Sequence, residues 1–222
     1  MTTAVQPRVA RSFVATAMTR TRVPWPLALT AGTAAALVVV VALAYPAQGV
    51  SSFVVRISEL LLACGAAYLI DDAAAAVTAT APRTVWRRRA PTFLGGAGLL
   101  AVTWIVILVV LSWQAPGGPR LAITWEVVVL CCLAIAAAAV IARLGEPEPG
   151  GQVAPVVLLL GVSALLTEPV LGVTIFVPDE GKGGVARQLW WTGAAVLALV
   201  TVLVASRDPA TGRGRHGVRL VP

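Results

Sequence analysis

Four ionisable residues stand in stretches that are otherwise apolar, and these are the positions where the chain could do chemistry. Arg56 and Glu59 are three residues apart, Glu126 follows Trp125 in a later run, and Glu168 precedes Pro169 near the end of another. Residues three apart share a face of a helix, so Arg56 and Glu59 can neutralise one another. Inside hydrocarbon, such groups line an ion or substrate path, bridge to a partner, or serve as packing devices. The packing reading has Arg56 extending to the nearby membrane surface with Glu59 bonded to it, and it is slightly favoured. Glu126 lies one turn into its run, where the positive end of a helix favours an interfacial carboxylate; a path-lining acid is the alternative. For Glu168 the interfacial and path-lining readings are more evenly balanced.

Catalytic chemistry finds little support. His216 is the only histidine and lies in a polar tail, which excludes a histidine-bearing metal site inside the apolar region. Glu59, Glu126 and Glu168 are single acids on separate segments, without acid–base spacing. Ser58 and Ser163 lack a base that would activate them and read as helix-capping hydroxyls. The sequence contains no G-x-x-x-x-G-K-[ST] phosphate loop, and GKGG at 181–184 has the wrong order. The expectation is a chain that is not an enzyme and holds no cofactor. Cys64, Cys131 and Cys132 fall in apolar runs and are expected as three thiols.

The elements that position these residues follow from composition. Of 222 residues, 58% are apolar and 12% charged, which is far from the balance of a water-soluble domain. A spanning helix needs roughly 20 mostly apolar residues, since about 30 Å of hydrocarbon is crossed at 1.5 Å per residue. Runs of that kind occupy 27–45, 53–70, 93–113, 121–142, 153–177 and 189–205. The fold class expected is therefore all-α, a polytopic membrane protein with six transmembrane helices. Segments 1–26 and 206–222 read as loose polar ends, the latter punctuated by Pro209, Gly212, Gly214 and Gly217. Ala42, Leu43 and Ala44 resemble a signal-cleavage site, but the leading segment is long for a signal, so the first run is expected to stay as an anchor.

Charge sets the orientation. With the N-terminus inside, thirteen of the seventeen basic residues fall in inner segments and only Arg120, Lys182 and Arg187 in outer ones, with Arg56 inside a span. Retention of Lys and Arg on the cytoplasmic side then places both ends in the cytoplasm of a cell-membrane protein. Trp and Tyr cluster near the ends of the runs, as interfacial aromatics do, and Trp104 alone sits mid-span. The net charge of +7 is spread over these ends and forms no aromatic-studded basic face, so anionic lipid is the expected partner and nucleic acid is not.

Two connections depart from simple turns. Between the second and third runs, Asp72 is placed to cap a short helix through Ala73, Ala74, Ala75, Ala76 and Val77, and Pro82 ends it. Arg87, Arg88 and Arg89 then return the chain to the headgroups, and Pro91 precedes the third span. Before the last run, Pro169 interrupts the fifth helix near Glu168, and 170–177 is too short to cross again. That segment is either a kinked helix end or a re-entrant turn.

This layout resembles the type-two permeases of ATP-binding-cassette (ABC) transporters. The segment DDAAAAVTATAPRTVWRRRAP is similar to the Ala-rich, Arg-terminated connection of small permeases from high-GC bacterial genomes. The resemblance implies a coupling helix that docks on an ATPase, with Asp71, Asp72, Ala73, Thr78, Thr80, Arg83, Arg87, Arg88 and Arg89 as its surface. It implies export of a hydrophobic or amphipathic compound, an identical or sister permease as partner, and ATP bound by a separate subunit. The rival expectation is a membrane scaffold or accessory subunit without transport.

Overall fold

The computed structural model describes residues 25–46, 50–71, 85–114, 120–144, 146, 148–171, 176 and 184–206. Regular structure among them is helical throughout. In chain order the helices are α1 (Trp25–Ala44), α2 (Ser52–Ala67, continued by a 3-10 turn at Tyr68–Ile70), α3 (Val85–Gln114), α4 (Arg120–Arg143), α5 (Gly150–Leu171) and α6 (Gly184–Ser206).

Five segments are long and apolar enough to cross a membrane: Trp25–Ala44, Ser52–Ile70, Ala90–Gln114, Arg120–Arg143 and Gly150–Thr167. The sixth expected span, 189–205, lies within α6, whose apolar part Leu189–Val204 is shorter than the other five. Large apolar side chains such as Leu94, Val102, Ile105, Leu159, Leu160 and Leu197 point outward. Exposed hydroxyls on these faces donate to their own helices: Ser112 to the Val109 carbonyl at 2.7 Å, Thr167 to that of Ser163 at 2.9 Å, and Thr201 to that of Leu197 at 2.8 Å. An apolar solvent offers such groups no other partner, so this arrangement suits hydrocarbon.

α2 is the hub. Some 67% of its span is buried, against 17–33% for the other four, because α1, α4 and α5 enclose it. α3 lies against α1, and α6 runs along α4. Contacts at the ends sort the helices into an alternating bundle. At the end bearing Trp25, here the near end, Asp71 after α2 meets Gly150 at the start of α5. At the far end the Gln114 side-chain amide of α3 donates to the Ala42 carbonyl of α1 at 3.0 Å. Consecutive helices from α1 to α5 thus run in opposite directions, and α2 and α4 are parallel.

Pro91 and Pro169 both lie within helices. α3 begins at Val85 and passes through Pro91, so Arg87, Arg88 and Arg89 occupy the first turns of the third helix and do not form a separate return to it. Pro91 is the seventh residue of α3, and its missing N–H forfeits the bond to the Arg87 carbonyl without ending the helix. Likewise α5 continues through Glu168 and Pro169 to Leu171, the kinked-end alternative of the two left open for that segment; a re-entrant turn there falls largely outside the described residues. The expected short helix from Asp72 to Pro82 also lies outside them.

Close approach of α5 to α2 requires glycine. A Cβ on Gly161 would stand 2.2 Å from Leu60 Cδ2, and one on Gly150 would stand 2.9 Å from both the Tyr68 Cα and Asp71 Oδ2. The second obstacle includes backbone, which cannot swing aside. In α3, Gly96 is buried against Leu69. Replacing Gly150 with Ala is expected to lower stability by about 1–3 kcal/mol, as overpacking does. Gly151→Ala, with nothing within 4 Å of the added carbon, is expected to cost nothing. Thermal unfolding of the two variants in the same detergent checks the difference.

Candidate functional site

The site is built on the hub helix. Ser51 caps α2, and Arg56 and Glu59 follow roughly 6 and 10 Å along it, while Glu126 stands roughly 9 Å into α4. Since α2 and α4 run parallel from the far end, these depths match. Arg56 Nη1 donates to Glu59 Oε1 at 3.0 Å and Oε2 at 2.9 Å, and also to Glu126 Oε2 on the neighbouring helix. Both glutamates are fully buried and Arg56 is 7% exposed. The Phe176 ring, in the connection between α5 and α6, lies over the guanidinium at 5.3 Å, a cation–π contact.

The surroundings hold the cluster in place. The Ser58 hydroxyl donates to the Val54 carbonyl at 2.9 Å and leans toward the Ala34 carbonyl of α1 at 3.4 Å. Trp104 donates from Nε1 to Thr124 Oγ1 at 3.2 Å, which joins α3 to α4 half a turn before Glu126. On the other side the Cys64 thiol donates to the Ala154 carbonyl of α5 at 3.2 Å. All three cysteines are free thiols. A charge left alone at this depth costs several kcal/mol, so each member of the trio depends on the others.

The placement corrects two expectations. Glu126 is not an interfacial carboxylate; it is fully buried and bonded to Arg56, because the parallel neighbour brings the cation to its own depth. Arg56 does not extend to the surface, since two carboxylates hold it between helices. The Arg56–Glu59 pairing follows from their spacing alone, whereas Glu126 is 70 residues from Arg56 in sequence. Its signal was equal depth on two helices of the same direction. Glu168 lies in the last turn of α5.

A second polar junction closes the near end. Asp71 Oδ1 accepts the Gly150 N–H at 2.7 Å, so the carboxylate caps α5 and meets the positive end of its dipole. Asp71 was expected on an ATPase-docking surface; in the structure it binds within the bundle. Asp72, Ala73, Thr78, Thr80 and Arg83 lie outside the described residues, as do the side chains of Arg87, Arg88 and Arg89. Among the described residues no group of three His, Cys, Asp or Glu side chains is arranged to hold a metal ion.

Comparison of the chain with protein-family models, curated proteins and solved structures found no match. The geometry itself must therefore carry the functional argument. In a urea or thermal titration, Arg56→Met is expected to lose about 3–5 kcal/mol, because it strands two buried carboxyl groups. Asp71→Ala, which removes the α5 cap, is expected to lose about 0.5–2 kcal/mol.

Proposed function

We propose that this chain is the membrane-spanning permease subunit of an ABC-type exporter. In this reading α6 is the sixth span and the near end faces the cytoplasm, so that both termini are cytoplasmic. A separate ATPase supplies the energy, a second permease, identical or related, completes the path, and the cargo is hydrophobic or amphipathic. The observation that carries the reading is the buried Arg56–Glu59–Glu126 cluster in the hub helix. Ionisable groups in the middle of a bundle are costly to insert, and function is the usual reason for their presence. The order of the helices supports it further, as does the basic, Ala-rich stretch between α2 and α3.

A second reading, a scaffold or accessory subunit, draws on one specific feature. Every member of the cluster is bonded to another member, so the trio can act purely as polar glue between α2 and α4.

Affinity purification from the native membrane separates the two. An ATPase with a phosphate loop is expected to co-purify with the full chain and to be lost on deletion of residues 72–82. Recovery of the chain without any ATPase would favour the scaffold. The orientation is checked by C-terminal reporters: a fluorescent-protein fusion is expected to glow and a periplasm-dependent phosphatase fusion to stay inactive.

A further inference from the structure

α5 is held differently from the other spans. Only 17% of its span is buried, the least of the five, and it packs chiefly on α2 while α6 lies along α4. Polar bonds tie its first turns to α2: the Gly150 N–H donates to Asp71 Oδ1 at 2.7 Å, and the Ala154 carbonyl accepts the Cys64 thiol at 3.2 Å. The apolar part of this contact is made of small residues, with Val153 in one cluster with Ala63 and Ala67. Apolar contact between helices carries little driving force in lipid, so specific polar bonds decide whether two helices stay together. Elements with few buried contacts are also the ones that open first.

We propose that the Asp71–Gly150 bond is a catch, and that its release lets the near half of α5 part from the hub helix and opens the Cys64 face of α2 toward the near end. The fixed side of the catch is the 3-10 turn Tyr68–Ile70, a kind of turn that often marks a hinge. Leu69 is buried with Leu27 of α1 and against Gly96 of α3, so Asp71 keeps its place whichever way α5 moves. The moving side is Gly150, whose missing Cβ leaves room for Tyr68. The pivot is Gly161, roughly 16 Å along α5, where Leu60 fills the space of a side chain. Beyond that level Leu166 and Val170 are exposed and restrain the helix little. The motion is independent of the permease reading, since no ATPase is needed to release a single hydrogen bond.

Cys64 reports on the opening, because it is buried in the α2–α5 contact. Cys131, packed on the side of α1 and α3, is the control for general loosening. The full chain in lipid nanodiscs is treated with a water-soluble maleimide, and the labelled peptides are quantified by mass spectrometry. In the wild type Cys64 is expected to label slowly. Asp71→Ala should speed it about 2- to 30-fold, the factor that loss of a helix cap makes in an equilibrium, with Cys131 unchanged. Asp71 has further contacts, so two more variants isolate the catch. Asp71→Asn, whose amide oxygen caps as well, should label as the wild type does. Gly150→Ala keeps residue 71, wedges α5 from the other side and should also speed Cys64.

An Asn variant as fast as the Ala variant would overturn the proposal, as would Cys131 accelerating in step with Cys64. So would a Cys64 rate that no variant changes, or wild-type labelling as fast as that of Asp71→Ala. If Gly150→Ala does not fold, the two Asp71 variants still decide.

Discussion

One guanidinium nitrogen fixes the centre of this molecule. Because Arg56 bonds an acid on its own helix and another on a parallel neighbour, α2 and α4 cannot slide or rotate past one another without stranding a charge in a medium that does not solvate it. α1 and α5 complete the enclosure of α2, and their contacts with it are small-residue and hydroxyl or thiol contacts that allow close approach. Helices farther out, α3 and α6, pack on this inner set and turn apolar faces outward.

The bundle is pinned at a second level by the cap that Asp71 gives to α5. The ion cluster lies toward the far end and the cap at the near end, so α2 is tied to α4 at one level and to α5 at the other. Specific polar bonds of this kind do what apolar packing cannot do in lipid. Leucine is as comfortable against a lipid tail as against another leucine, so polar pairs and small residues select the neighbour.

Much of this was readable from residue order. Hydrocarbon-length runs located α1, α2 and α4 closely, because few other physical demands produce twenty apolar residues in a row, whereas α3 and α6 start well before their runs and α5 ends before 177. The Arg56–Glu59 pair followed from helical periodicity. What escaped was lateral. Periodicity says which residues share a face but not which helix will stand opposite, so Glu126 read as interfacial and the cap that Asp71 gives to α5 was not foreseen. Pro91 was over-read for a related reason, because local composition does not reveal how much helix the surrounding bundle will support.

The order in which the ribosome releases these helices gives the Arg56–Glu59 spacing a further meaning. The hub is the second helix made, yet its partner acid on α4 emerges 70 residues later. At about 5–20 residues per second that interval is roughly 4–14 s, long compared with helix formation. During it the intrahelical pair is the means by which a nascent α2 can enter lipid with its charges matched. A glutamate one helical turn from the arginine therefore acts as an escort during biogenesis, and only afterwards shares the cation with the permanent neighbour.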